Sequence, residues 1–325
     1  MPLLFDMPYK NLLTYEGTNP KPGDFDRFWE RSLEEMRAVD AQVKLVPAEF
    51  QTSYAECYHM YFTGVGGARV YAKLLKPKQT SPTNSAAPAV LMFHGYSANS
   101  GDWYDKLPYV AAGFTVAALD CRGQGGRSED PGGVEGWTLN GHIVRGLDNV
   151  PENMLYRAIF LDAAQLAKII IEMPEIDPER VGVTGGSQGG GLTLACAALE
   201  PRIKKAAPVF PFLSDYQRVW EIDQDVAAYE ELRVWFRRFD PRHEREDEVF
   251  TQLGYIDVQH LAPRIRADVF MAVGLMDTIC PPSTQFAAYN KITAPKSMVT
   301  YPDFSHEHLP DLNDKIFEFM QDLSI

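Results

Sequence analysis

The residue best suited to covalent chemistry in this chain is a serine between glycines. Ser187 lies at the centre of residues 185–189, GGSQG, which follow a β-branched run at 181–184 and precede an apolar run at 192–199. A strand, a tight glycine-rich turn and a helix form the context in which a G-x-S-x-G serine becomes an exposed nucleophile. We therefore predict that Ser187 attacks a carbonyl carbon and that the N–H of Gln188 helps to bind the resulting oxyanion.

Two other interpretations of the glycine-rich segments fail. A P-loop requires a lysine and a serine or threonine after its last glycine, but Gly191 and Leu192 stand there. A dinucleotide fingerprint requires G-x-G-x-x-G at the start of a helix, whereas residues 123–128, GQGGRS, end in serine and lead into a polar loop. We expect phosphate binding at neither segment.

A serine hydroxyl needs a base to accept its proton, and imidazole suits neutral pH. Of the seven histidines, His306 and His308 follow the last apolar run, where the chain order serine, acid, histidine places the base. We favour His306 because it directly follows Ser305 in the turn, whereas Leu309 and Pro310 carry His308 towards the terminal helix. A metal site at this pair lacks a suitably spaced third ligand, so none is expected.

The acid that orients the imidazole should lie at the end of a strand between the serine and the histidine. Asp277 ends the run at 269–277 and precedes residues 280–282, CPP, a rigid stretch that could hold it in place. Asp303 is the alternative, but it is so close to His306 in the chain that reaching the imidazole requires an awkward loop. Asp277 is expected to accept from the imidazole and fix its tautomer.

The second oxyanion donor is expected in the loop that follows the apolar run at 90–93. This loop contains His94, Gly95 and Tyr96, and we predict the N–H of Tyr96 as the donor. His94 is interpreted as a packed histidine that orients the loop.

Alternating apolar and helical segments predict the elements that position these residues. The pattern indicates an α/β fold with a mainly parallel sheet covered by helices on both faces. A helix is predicted at 153–172, and strands at 90–93, 115–119, 181–184, 206–210, 269–273 and 298–301.

The remaining segments predict additions to a single domain spanning residues 1–325. The N-terminal arm, 1–40, includes a helix at 24–39 with Asp24 and Asp26 at its start. A β-hairpin is predicted from strands at 56–62 and 68–75, followed by an exposed loop at 77–88. Residues 121–151 form a long glycine-rich loop, and residues 212–263, rich in aromatic and charged residues, form a helical cap insertion.

Composition narrows the possible partners. The chain has 325 residues, 45% of them hydrophobic, and a formal net charge of −13, which argues against nucleic acid or an anionic membrane as a partner. No apolar run is long enough to span a bilayer, and the first residues do not resemble a signal peptide. Four scattered cysteines are expected to be core residues in a reducing cytoplasm.

Three segments together resemble family seven of the carbohydrate esterases, the acetyl xylan esterases and cephalosporin C deacetylases. They are residues 122–124, RGQ, residues 185–189, GGSQG, and residues 306–307, HE. The resemblance extends over essentially the whole chain and includes residues 22–29, PGDFDRFW. It departs at residues 154–157, MLYR, where many relatives have a tyrosine-rich run.

The resemblance implies an α/β-hydrolase that removes acetyl groups from short acetylated xylo-oligosaccharides and cephalosporin-type antibiotics. It also implies no metal or organic cofactor, a cytoplasmic location and a ring-shaped homo-hexamer whose active sites face an inner cavity. By position, Ser187, Asp277 and His306 match the family's nucleophile, acid and base. Tyr96 and Gln188 match its oxyanion donors.

Two further sets of residues take their expected roles from the resemblance. Arg122 and Gln124 match the family's RGQ signature at residues 122–124, and the guanidinium is expected to tie loops together by bidentate contacts. A small acyl pocket that accepts acetyl and excludes long chains is expected from Tyr96, Phe210, Pro211 and Phe212.

Other functions would use the same residues differently. A broader carboxylesterase or a prolyl-oligopeptidase-like peptidase would use the same triad on other acyl groups. A non-catalytic hydrolase scaffold would bind a ligand without turnover, but such a protein normally lacks a triad member, and none is missing here.

Overall fold

The computed structural model describes residues 5–78, 86–132 and 141–324. Its strands belong to one sheet, and their bounds are β1 (Lys44–Pro47), β2 (Ala55–Thr63), β3 (Arg69–Pro77), β4 (Ala87–Phe93), β5 (Thr115–Asp120), β6 (Ile176–Gly186), β7 (Lys205–Val209), β8 (Asp268–Gly274) and β9 (Lys296–Tyr301). In the described part of the chain the strand order is β1-β2-β3-β5-β4-β6-β7-β8-β9.

The sheet is antiparallel at one side and parallel over the rest. The pairs β1–β2, β2–β3 and β3–β5 are antiparallel, and the pairs from β5–β4 through β8–β9 are parallel. The predicted mainly parallel α/β fold is therefore confirmed. Because the carboxyl ends of parallel strands meet at one edge of a sheet, the loops after β4, β6, β8 and β9 can converge on one site.

Helices cover both faces of the sheet. Their bounds are α1 (Tyr9–Leu12), α2 (Phe25–Ala38), α3 (Leu107–Ala111), α4 (Leu155–Ile171), α5 (Gln188–Leu199), α6 (Tyr216–Glu221), α7 (Glu230–Phe239), α8 (Glu246–Leu253), α9 (Val258–Leu261), α10 (Pro282–Lys291) and α11 (Leu312–Gln321). Alternation along β4 sends Leu91 into the core with α4 and α5, while Val90 packs in the cluster with α11. Both side chains are completely buried.

The predicted cap insertion, residues 212–263, lies between β7 and β8 and contains α6 to α9. The N-terminal arm is bound to it by buried and partly buried hydrogen bonds. Asp215 accepts from the hydroxyl of Tyr15 at 2.8 Å and from the N–H of Asn19 at 2.8 Å. The indole of Trp29 donates to the carbonyl of Tyr255 at 3.0 Å. These contacts fix the N-terminal arm against the cap insertion.

Several local features differ from the sequence prediction, and some predicted segments lie outside the described residues. The short edge strand β1 was not predicted. The helix α2 begins at Phe25, close to the predicted start, but the carboxylate of Asp24 accepts from the Tyr255 hydroxyl instead of capping the helix. Residues 1–4, residues 79–85 of the predicted exposed loop and residues 133–140 of the predicted glycine-rich loop lie outside the described residues. In the described ranges no helix combines the length and the apolar character needed to cross a bilayer.

Candidate active site

Ser187 occupies a strained turn between β6 and α5. Its backbone angles are φ 59° and ψ −120°, a conformation that side-chain-bearing residues rarely adopt. Glycine is required on either side, because a Cβ at Gly185 would lie 2.6 Å from the carbonyl oxygen of Phe93 and one at Gly189 would lie 2.2 Å from the same atom. The turn can therefore pack against β4 while the serine side chain stays half-buried.

Asp277 and His306 are joined by a hydrogen bond. Asp277 follows β8, is completely buried, and its Oδ2 lies 2.8 Å from the Nδ1 of His306. Its Oδ1 accepts from the N–H groups of Ile279 and Cys280 at 2.9 and 2.8 Å. These bonds orient the carboxylate, and its acceptor role assigns the proton of the imidazole to Nδ1. The Nε2 atom is then free to act as a base.

The loops that carry the acid and the histidine are also joined through the backbone. The N–H of Met276 donates to the carbonyl of Phe304 at 2.9 Å. This bond connects the loop after β8 to the loop after β9, two residues before His306. The position of the imidazole is thus set by both loops.

The hydroxyl of Ser187 contacts the thiol of Cys280, for which the sequence predicts only a core position. Burial and the charge of Asp277 raise the pKa of this thiol well above its ordinary value, although its interaction with the Ser187 hydroxyl acts in the opposite direction. The Cys280 sulfur and the ligand atoms of Asp277 and His306 lie within 4.8 Å of one another. Ser187 and His306 are therefore both neighbours of the Cys280 thiol.

The same three groups, Asp277, Cys280 and His306, could offer ligands to a metal ion. The carboxylate and the imidazole are already joined by a hydrogen bond, however, and the raised pKa of Cys280 disfavours the thiolate that binds metals. This donor set is better suited to holding a proton than to holding a cation.

Gln188 begins α5, so its N–H is one of the first-turn amides that have no partner within the helix. The buried side chain of Gln188 fixes the neighbouring loops. Its Oε1 accepts from the amide of Gln124 and from the hydroxyl of Tyr156, both at 2.7 Å. Its Nε2 lies 3.3 Å from the carbonyl of His94. Gln124 and Tyr156 thereby support the start of α5.

We call residues 94–97, which contain the predicted oxyanion donor Tyr96, the oxyanion loop. The N–H of Ser97 donates to Oε1 of Gln124 at 2.9 Å, and Ser97 has a left-handed φ of 58°. The ring of His94 contacts both its own loop and the segment after β5, since Nδ1 lies 2.7 Å from the carbonyl of Gly95 and Nε2 accepts from the N–H of Cys121 at 3.0 Å. Burial lowers the pKa of His94, which favours a neutral, packed ring.

The side chain of Tyr96 is anchored in the cap insertion. Its hydroxyl donates to Oε1 of Glu231 at 2.5 Å, and its ring packs edge-on against Phe212 with centroids 5.7 Å apart. Glu231, on α7, was not identified from the sequence. Burial raises its pKa to about 7, although hydrogen bonds from Tyr96 and from the backbone at residues 142–144 act in the opposite direction.

The aromatic residues of the predicted acyl pocket take different positions. Phe210, with a left-handed φ of 30°, places its ring 4.4 Å from the ring of His306. Pro211 is buried next to the start of α5. Phe212 has no exposed surface and lies behind Tyr96, between that ring and Tyr229. Phe212 therefore packs behind Tyr96 in the core and has no surface that a substrate could contact.

Arg122 forms a buried ion pair with Asp162, a residue that no sequence motif indicates. Its Nε and Nη2 donate to the two oxygens of Asp162 at 2.7 and 2.6 Å, and its Nη1 donates to the carbonyl of Val65 at 3.1 Å. Burial opposes the charge of Arg122, but the carboxylate of Asp162 outweighs it and the pKa of Arg122 is raised. The pair connects the segment after β5 to α4.

The alternative acid and base are exposed. Asp303 and His308 both lie at the surface, whereas Asp277 is completely buried against His306. The arrangement as a whole consists of a serine on a strand-to-helix turn beside an aspartate–histidine pair, at the carboxyl edge of a mainly parallel sheet. This is the architecture of the serine hydrolases with an α/β-hydrolase fold.

A sequence profile of the acetyl xylan esterases (AXE1) matches residues 1–323. The chain therefore belongs to the acetyl xylan esterase family. The resemblance found in the sequence is thereby confirmed.

Solved structures agree with this assignment. Acetyl xylan esterase 1 from Thermoanaerobacterium sp. JW/SL YS485 is 60% identical, with a TM-score of 0.96 over 99% of this chain and 100% of that chain. The acetyl xylan esterase from Paenibacillus sp. R4 is 34% identical, with a TM-score of 0.92 over 97% of this chain and 99% of that chain.

A curated relative is larger. The acetyl esterase Axe7A of Xylanibacter ruminicola (strain ATCC 19189 / DSM 19721 / CIP 105475 / JCM 8958 / 23) is 29% identical over 295 residues, which are 88% of this chain. The matched region spans 63% of the length of that relative.

Proposed function

We propose that the protein is a serine esterase that removes acetyl groups from short acetylated xylo-oligosaccharides and from cephalosporin C-like acetyl esters. Membership of the acetyl xylan esterase family supports the acetyl-ester chemistry. The observation that carries the proposal is the hydrogen bond between Asp277 and His306 beside the strained turn of Ser187. This geometry can activate an alcohol without a cofactor.

In the first half of the reaction, Ser187 attacks the acetyl carbonyl while His306 accepts the serine proton. For this step the Ser187 hydroxyl turns from the Cys280 thiol towards Nε2 of His306. Such hydrogen bonds often tighten only when substrate binds. The buried Asp277 stabilises the imidazolium that forms. The imidazolium then donates its proton to the leaving sugar hydroxyl, and an acetyl-enzyme remains.

The negative charge on the tetrahedral oxygen is bound by the N–H groups of Tyr96 and Gln188. Donors of this kind contribute because they are already oriented before charge develops. The interactions of the Gln124, Tyr156 and Gln188 side chains supply that orientation. In the second half-reaction, water activated by His306 attacks the acetyl-enzyme and releases acetate.

The proposed acyl pocket is small. Tyr96, Phe210 and Pro211 form its wall, and Phe212 supports Tyr96 from behind. Enlarging the acyl group would require these packed rings to move, and overpacking is costly. The pocket is therefore proposed to accept acetyl and to exclude long acyl chains.

Arg122 and Gln124 are proposed to hold the segments around the site in place and not to take part in the chemistry. Arg122 joins two segments through Asp162, and Gln124 joins the oxyanion loop to Gln188. A homo-hexamer and a cytoplasmic location remain proposals that come from the resemblance to carbohydrate esterase family seven. Light scattering coupled to size-exclusion chromatography tests the first.

A substrate panel tests the proposed function. We expect hydrolysis of nitrophenyl acetate, acetylated xylobiose and cephalosporin C. Nitrophenyl octanoate should be hydrolysed at least about tenfold more slowly than nitrophenyl acetate, because the pocket lacks space for the longer acyl chain. An aminoacyl anilide should not react. A preference for the octanoyl ester would favour a broader carboxylesterase, and cleavage of the anilide would favour a peptidase. Either result contradicts the proposal.

A further inference from the structure

Glu231 is a buried carboxylate that forms no ion pair within the described residues. It lies on α7 in the cap insertion and is 7% exposed. Its Oε1 accepts from the hydroxyl of Tyr96 at 2.5 Å, and its Oε2 accepts from the N–H of Val144 at 2.9 Å. The hydrogen bonds that stabilise its charge come from a hydroxyl group and from backbone amides.

The position of Glu231 is one that an apolar residue would fill at lower cost. Its neighbours on the buried face of α7 are Leu232, Trp235 and Phe236. A buried carboxyl group carries a desolvation penalty that hydrogen bonds only partly offset. The stability of the cap insertion therefore does not explain why a glutamate occupies this position. The contacts of Glu231 indicate another role.

Those contacts converge on Tyr96. The hydroxyl of Tyr96 donates to Glu231 and lies 3.4 Å from the N–H of His142, which donates to it. The Tyr96 ring is further confined by the ring of His142, with centroids 4.7 Å apart, and by Phe212 at 5.7 Å. One end of Tyr96 is thus held by a short chain of hydrogen bonds. The other end is the backbone of the oxyanion loop.

We propose that Glu231 is a positioning residue that holds Tyr96 so that its backbone N–H points into the oxyanion hole. The inference rests on the proposed serine-esterase function and adds to it a catalytic contribution from the cap insertion. An oxyanion donor must lie about 2.7–3.1 Å from the developing charge, so a small displacement of the loop weakens it. Glu231 acts through Tyr96 and does not touch the substrate.

Glutamine is the sharpest probe because it preserves size but has one acceptor oxygen. In Glu231→Gln, either the Tyr96 hydroxyl or the Val144 N–H faces an NH₂ group and loses its acceptor. Tyr96→Phe removes only the hydroxyl at the other end of the same bond. Glu230→Gln, at an exposed position of the same helix, is the matched control.

The experiment measures kcat, KM and the melting temperature of the wild type, the three single variants and the Tyr96→Phe/Glu231→Gln double variant, with an acetyl ester at pH 8. We expect kcat to fall about tenfold in each of the Tyr96 and Glu231 variants, with KM within about twofold, since a misplaced donor weakens transition-state binding. The double variant should lose no more than the worse single variant, because both changes break one interaction. Glu230→Gln should match the wild type.

Three outcomes would overturn the inference. They are an increase in KM with kcat unchanged, losses that multiply in the double variant, and equal losses in Glu230→Gln. If Glu231→Gln unfolds, Tyr96→Phe still tests the interaction, because a normal kcat in that variant contradicts it. Failure of the proposed function is a separate result, since it would appear as absence of acetyl-ester turnover in the wild type.

Discussion

At the scale of residues, the proposed chemistry depends on which acid contacts the imidazole. Asp277 is completely buried and accepts from Nδ1 of His306 at 2.8 Å. Asp303 is only three residues from His306 in the chain but is exposed. A buried acceptor both fixes the tautomer and stabilises the imidazolium, whereas an exposed carboxylate is screened by water.

Replacing these two aspartates should have very different effects. Asp277→Asn should lower kcat by about 10³- to 10⁴-fold, because an amide can donate to Nδ1 and stabilise the wrong tautomer. Asp303→Asn is the matched control and should leave kcat within about twofold. Steady-state kinetics with an acetyl ester, with melting temperatures to verify folding, make the comparison. A larger loss in the Asp303 variant would contradict the assignment of the acid.

The sequence was sufficient to propose a serine, an aspartate and a histidine because their roles depend on chain order and on position after strands. It did not reveal the neighbours that act on them across space. Cys280 was interpreted only as a core residue, although it contacts Ser187. Glu231 could have been suspected, because it lies four residues before Trp235 on the buried stripe of α7, where a charge is unusual.

At the scale of elements, the sheet could be predicted because its buried strands are continuous apolar runs. The predicted strands at 90–93 and 269–273 fall within β4 and β8. The edge strand β1 was missed because its four residues are exposed or half-buried and carry no such run. Register and sheet order depend on contacts between distant segments, so local pattern could not supply them.

The link between β5 and α4 illustrates a contact of that kind. Arg122 and Asp162 are 40 positions apart in the chain, and nothing in the spacing of the RGQ signature identifies the partner. In the structure both side chains are almost completely buried. Buried pairs of this kind are strongly destabilising when one partner alone is lost, because a charge is left without compensation. The RGQ signature thus has a structural explanation, but the partner of Arg122 can be identified only from the folded structure.

At the scale of the whole molecule, buried ionisable groups give opposing contributions to stability. Burial raises the pKa of Glu231 to about 7, and burial together with Asp215 does the same for Asp257. Burial lowers the pKa of His142 and His260 to about 4. Below neutral pH, Glu231 and Asp257 therefore hold more protons in the folded protein than in the unfolded chain, whereas His142 and His260 hold fewer. These differences have opposite effects on how the free energy of unfolding changes with pH, so they partly cancel in the wild type.

A comparison with Glu231→Gln separates one of these contributions. Because the folded pKa of Glu231 lies above its ordinary value of 4.5, its contribution is fully present below that value and is lost as pH rises through about 7. The free energy of unfolding of the wild type, minus that of the variant, should therefore decrease between pH 5 and pH 8. Urea denaturation at each pH measures this difference, with Glu230→Gln as control. A constant or increasing difference would contradict the buried-carboxyl explanation.

The central claim is that Ser187 forms the covalent intermediate, and mass spectrometry after treatment with a serine-directed phosphonate tests it most directly. We predict one adduct on the wild type, located at Ser187, and no adduct on Ser187→Ala. That variant should retain the wild-type melting temperature but lose acetyl-ester turnover. Labelling at another residue with Ser187 unmodified, or a Ser187→Ala variant that keeps more than about a tenth of wild-type activity, would contradict the account.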